Sequence, residues 1–176
     1  MKKLFLFSSI TFISPLIFGQ TKDLPGCKTI KNELTEVNYS FDNIVEKFKS
    51  KEDKVSLVKT YSSEFSICGE KGKIRDYGRM VEFSFQFIDA DYKGGKNEFT
   101  SFFKKMFKEL VDVFGDSLTY KLSEKETGKL CIFYEKGKDY STSKRMIGLT
   151  LAYKDPVDEE IETYFVSLIF NYYPKR

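Results

Sequence analysis

The chain has 176 residues, 41% of them hydrophobic, with 29 basic and 26 acidic side chains, three cysteines, no histidine and no tryptophan. Without histidine there is no imidazole general acid or base, no Ser-His or Cys-His nucleophile pair, and no access to the commonest zinc ligand. Acids and bases interleave, as in residues 47–54 and 124–129, so the basic stripe that nucleic-acid binding needs is missing.

Met1, Lys2 and Lys3 make a short cationic start, and residues 4–18 are apolar apart from small hydroxyls and Pro15. Gly19 supplies the small side chain a signal peptidase accepts, and the segment resembles a bacterial-type secretory signal peptide. As a helix the apolar run would span about 22 Å, short of the hydrocarbon core of about 30 Å. The expected organisation is a cleaved leader at 1–19 and a single α+β domain at 20–176, periplasmic or secreted, with no transmembrane segment left after cleavage. Losing Lys2 and Lys3 leaves 27 basic groups against 26 acidic ones, a nearly neutral domain. Leu24, Pro25, Gly26 and Cys27 look like a lipid-attachment box, which makes a lipoprotein anchored through Cys27 the alternative; Lys22, Asp23 and Pro25 speak against it.

Three cysteines in an oxidising compartment allow one disulfide and one leftover thiol. Cys27 and Cys68 lie beside Gly26 and Gly69 in expected loops, whereas Cys131 sits in a strand-like run. The expected bond is Cys27–Cys68 with Cys131 buried as a small hydrophobe; the competing pairing is Cys68–Cys131.

Ile30, Leu34, Val37, Phe41, Ile44 and Phe48 recur every three or four residues and predict a helix face, with a break near 38–42 at the weak helix formers Asn38 and Ser40. A second helix is predicted from Ser50 and Asp53 onward, with Val55, Val58, Tyr61 and Phe65 inward. Residues 66–78 read as a charged connection. Val81, Phe83, Phe85 and Phe87 alternate with polar residues, a strand with one wet face. Gly94 and Gly95 stop it. Asn97 is the expected N-cap of a helix over 97–115 whose stripe runs Phe99, Phe102, Phe103, Met106, Phe107, Leu110, Val111 and Phe114, with Gly115 as the C-terminal stop.

Four more strands follow. Leu118, Tyr120 and Leu122 alternate, then Leu130, Ile132 and Tyr134; after a polar loop come residues 146–153 and then 162–172. The last is apolar on both faces from Tyr164 to Phe170, which predicts a central strand covered twice. No internal repeat is visible. The expected fold is α+β: a mostly antiparallel five-stranded sheet with two N-terminal helices and the amphipathic 97–115 helix packed on it. That element order resembles the cone-shaped nuclear-transport-factor-2-like arrangement, and the resemblance implies a curved sheet around a pocket.

Candidate sites are few. Asp89 and Asp91 invite comparison with a calcium loop, but twelve-residue spacing puts Thr100 where the strongest acid ligand belongs, so no metal is expected. Lys93, Gly94, Gly95 and Lys96 before a helix could cradle an anion. Ser141 to Lys144 spells S-x-x-K, without the partner motifs that penicillin-binding enzymes need. If the sheet curves, Tyr120, Tyr134, Tyr153 and Tyr172 would line a pocket, with Glu82, Asp89 and Asp91 as its acids. The expectation is an exported, non-catalytic domain that binds a ligand or protein partner and carries no cofactor. The alternatives are a small enzyme using carboxylates as acid and base, and a structural component of an envelope assembly.

Overall fold

The structure is a computed structural model that describes residues 22–23, 30–53, 58–88, 92–93, 95–125, 128–154 and 163–174. The expected leader and cleavage site, Cys27, Asp89, Asp91 and Gly94 lie outside these residues. Helix α1, Ile30–Tyr39, buries Ile30, Leu34 and Val37 as their spacing dictates. It ends at Ser40, a 3-10 turn Phe41–Asn43 follows, and α2, Ile44–Phe48, completes the broken first helix.

The predicted second helix does not exist. Its place is taken by strands β2, Lys49–Asp53, and β3, Lys59–Ile67. Tyr61, Ser63 and Ile67 are the buried positions of β3, a period of two that the serine hides from a reading of apolar spacing. Strand β4, Glu70–Asp76, likewise replaces the expected charged connection. Its inward positions are Gly72 and Ile74, so only one apolar side chain marks it. A Cβ on Gly72 would lie 2.1 Å from Phe83 Cε2 and 2.8 Å from Phe85 Cζ. Those rings occupy the space a side chain would need.

Cys68 (φ 55°) and Gly69 (φ 81°) form the two-residue turn between β3 and β4. Two successive positive φ values give the turn whose twist matches paired strands. Cys68 would resist that conformation, and two contacts hold it there: its N–H donates to Glu33 Oε2 at 2.9 Å, and the residue is disulfide-bonded. Cys131 carries a free, fully buried thiol, which sets aside a Cys68–Cys131 bond.

Strand β5, Val81–Ile88, follows. A short parallel pair, β1 (Lys22–Asp23) with β6 (Tyr92–Lys93), lies apart from the main sheet. Helix α3, Lys96–Phe114, begins one residue before the expected cap: Gly95 caps it, with its N–H given to Glu98 Oε2 at 2.9 Å. Gly115 ends α3 in the right-handed region (φ −60°), not the left-handed one expected of a terminal glycine. It is needed for closeness instead, since a Cβ there would lie 2.4 Å from Val111 O. Strands β7 (Leu118–Lys125), β8 (Gly128–Glu135), β9 (Arg145–Lys154) and β10 (Thr163–Tyr172) complete the chain.

The main sheet has eight strands, not five, in the order β2-β3-β4-β5-β10-β9-β8-β7, all antiparallel. The α+β class stands at that coarse level. The helix-helix-strand order behind the cone-like resemblance does not, because strands β2 and β3 occupy the place of the second helix and β4 that of the connection after it. The architecture also repeats where the sequence does not: helix then four-stranded meander occurs twice, joined where β5 pairs with β10.

All three helices cover one face. Directly opposed residues in an antiparallel pair share a face, and the register aligns Phe85, Leu168, Leu149, Cys131 and Leu122 across five strands. The rows beside it hold Phe87, Phe83 and Phe170, which meet Phe102, Phe48 and Phe114 of the helices. Each such fully buried ring contributes about 1.5–3 kcal/mol by leaving water. Strand β10 is central, as its apolar run suggests, but the described helices cover it on one face rather than two. Phe165 and Ile169 turn to the other face, half-buried, where none of the described helices packs.

Candidate functional site

The open face carries a groove over β7 and β8. Its floor is Leu130, Ile132 and Tyr134, one side is Lys121 and Ser123 of β7, and Asp139, Tyr140 and Ser141 of the β8–β9 loop form the wall. The recess encloses about 600 Å³ and continues around Tyr140 and Ser141 into a second recess of about 430 Å³ that reaches Met146 and Tyr173. Leu130 and Tyr140, exposed at 39% and 58%, bring apolar surface together in the recess.

The wall is built rather than loose. Ser143, 6% exposed, accepts the Glu135 N–H at 2.8 Å and donates to the Arg145 carbonyl at 3.0 Å, which pins the base of the loop. The Glu135 carboxylate accepts from Lys138 Nζ at 2.7 Å and from the Lys144 N–H at 2.6 Å. Burial alone would raise the Glu135 pKa. The hydrogen bond from Lys138, the Lys144 N–H, the Lys138 charge and the Ser143 hydroxyl outweigh it and hold the group below the ordinary carboxylate value. Residues 140–142 form a 3-10 turn that presents Tyr140 outward. The S-x-x-K letters thus serve loop closure: its last two residues bind Glu135 through the Ser143 hydroxyl and the Lys144 backbone.

The predicted tyrosines do not converge. Tyr134 alone reaches the open face. Tyr120 faces the helix side, edge-on to Phe107 with ring centroids 5.0 Å apart. Tyr153 is also on that side, its hydroxyl 3.3 Å from Thr100 Oγ1 and its ring 4.7 Å from Lys96 Nζ. Tyr172 lies opposite Val81 and Arg145 at the far end of the sheet. Glu82 is on the open face of β5, paired with Arg75 across the β4–β5 ladder.

Of the proposed anion cradle, Gly95 gives its N–H to Glu98 and Lys96 lies against Tyr153, so both are engaged within the protein. Lys93 is in β6, and Gly94 is outside the described residues. Among the described residues no group of three acids or cysteines could hold a metal ion, and no helix is long and apolar enough to cross a membrane.

The sequence missed Lys121, Ser123, Leu130, Ile132, Asp139 and Tyr140 as site residues, and named Ser141 only as the start of S-x-x-K. One signal was present: Tyr140 is a large aromatic alone in a polar loop. Comparison with family models, curated proteins and solved structures finds no match to this chain.

Proposed function

We infer that the chain is an exported, non-catalytic binding domain, freed of residues 1–19 and closed by a Cys27–Cys68 bond, which takes its ligand in the open-face groove. The observation that carries this reading is the groove itself, an apolar floor with a polar rim on a face that none of the described helices covers. Its volume falls within the range of about 300–1,000 Å³ that suits a small molecule. Tyr134 and Tyr140 offer ring faces, while Lys121, Ser123, Asp139 and Ser141 offer polar contacts at the edge. A ligand with one apolar side and a hydroxylated or charged margin suits that distribution.

Two features favour contact over catalysis. Among the described residues Asp139 is the one acid that lines the groove, whereas acid–base chemistry on carboxylates needs two whose environments differ. Glu82 is held by Arg75 three strands away from β8. Export is supported by the leader-like residues 1–19 and by the disulfide at Cys68, a bond that persists in oxidising compartments.

Native mass spectrometry of the chain after incubation with an envelope extract tests the reading. The expected spectrum shows a bound small molecule on the wild type and none on a Tyr134→Ala/Tyr140→Ala variant. The same spectrum shows a chain that starts at Gln20 and carries one disulfide. A ligand-free wild type, or equal loading of both proteins, contradicts the groove assignment.

A further inference from the structure

The two edges of the sheet are built differently. Strand β2 has five residues, reads Lys-Ser-Lys-Glu-Asp and has a register shift between Lys49 and Lys51. Short length, dense charge and irregular pairing are the devices that protect an edge from other strands. Strand β7 is longer and regular: its eight residues pair with β8 in unbroken register, are exposed from Tyr120 to Lys125, and carry three charges, Lys121, Glu124 and Lys125. Its outer backbone groups have no strand partner among the described residues.

The side chains of β7 sort by face. Tyr120 and Leu122 point to the helix side yet remain 46% and 44% exposed. On that same face Glu124 is neutralised by Lys129 at 2.9 Å. Lys121 and Lys125 point to the open side, and neither is in an ion pair among the described residues. Among the described residues the edge therefore offers three things together: main-chain groups without a strand partner, an apolar strip on one face and two lysines outside any ion pair on the other.

We propose that β7 is a strand-addition site for an extended segment of a partner protein in which apolar residues alternate with acidic ones. Main-chain hydrogen bonds to β7 supply affinity, the apolar residues cover Tyr120 and Leu122, and the acids meet Lys121 and Lys125. This site shares Lys121 with the side of the groove, but it rests on the edge and the helix-side strip and does not involve Tyr134 or Tyr140.

The probe is a labelled peptide of about eight alternating valine and glutamate residues, matching the length of β7. Its controls are a valine–lysine peptide and a valine–glutamate peptide N-methylated at alternate amides. Fluorescence anisotropy should show binding of the first peptide only, with amide hydrogen exchange slowed in β7. Leu122→Glu should weaken binding by about tenfold or more. A double reversal, Lys121→Glu with Lys125→Glu, should transfer the preference to the valine–lysine peptide, a gain that a misfolded variant cannot show. The proposal is overturned by any of four results: no peptide binding, binding retained after N-methylation, unchanged preference after the reversal, or self-association of the chain through β7 that Leu122→Glu abolishes.

Discussion

Gly72→Ala puts the placement of the aromatic core under a direct test. The new methyl would overlap Phe83 Cε2 and Cζ and Phe85 Cζ, at 2.1, 2.7 and 2.8 Å. Phe83 cannot swing aside cheaply. Its ring stacks on Phe48 at 5.3 Å and also meets Phe65, Phe85 and Phe170, so relief must spread through several buried rings. Forcing a methyl into packed space costs about 1–3 kcal/mol, and the lower entropy of the unfolded alanine chain returns about 0.4–1 kcal/mol. The net loss should be about 1–2 kcal/mol, a fall in Tm of about 2–8 °C for a domain of this size. Gly148→Ala is the matched control, because its Cβ would meet nothing within 4 Å. That variant should be neutral or gain up to about 1 kcal/mol. Urea unfolding with unchanged slope reads both. A Gly72→Ala protein as stable as the wild type, or a Gly148→Ala protein that loses as much, refutes the packing described for this end of the core.

The remaining predictions concern the loop, the thiol and the disulfide. Ser143→Ala should destabilise by about 1–2 kcal/mol in urea, because it leaves the Glu135 N–H without its buried acceptor. Glu135 has a folded pKa below its unfolded value, so its contribution is complete above the unfolded pKa and fades as pH falls through the folded one. The gap in stability between wild type and Glu135→Gln should accordingly be full at neutral pH and shrink in acid, as urea titrations from pH 7 to about pH 3 will show. Burial pushes the Cys131 thiol up to about 12, so a maleimide should leave it unmodified in the native protein and label it once urea unfolds the chain, as read by intact mass. Reduction should lower stability by about 4 kcal/mol if the closed loop is the one from Cys27 to Cys68.

How much was legible depended on what fills the inward positions. Strand β5 and helix α3 could be read because large apolar side chains, most of them phenylalanine, mark the inward positions of both. Strands β3 and β4 could not, because Ser63 and Gly72 hold core positions and look polar or featureless in sequence. Their burial is a property of the sheet: Gly72 is inward because Phe83 and Phe85 arrive from β5 to cover it.

The site shows the same limit more sharply. Strand β8 has apolar residues on both faces, Leu130, Ile132 and Tyr134 on one and Cys131 and Phe133 on the other. Alternation alone cannot say which set faces the helices. Register decides it: Phe133 pairs with Ile147 and Cys131 with Leu149, both fully buried, so Tyr134 turns outward while Tyr120, Tyr153 and Tyr172 turn in. A single sequence records which residues alternate, whereas pairing between distant strands chooses the face, and with it which tyrosines can meet a ligand.

The account rests on function residing on the uncovered side of the sheet. Backbone amide shifts recorded while an envelope extract is titrated into labelled protein test that most directly. Perturbations confined to β7, β8, β9 and the loop over residues 136–144 are the predicted result. Shifts centred on α1 or α3, with the groove amides unmoved, contradict it.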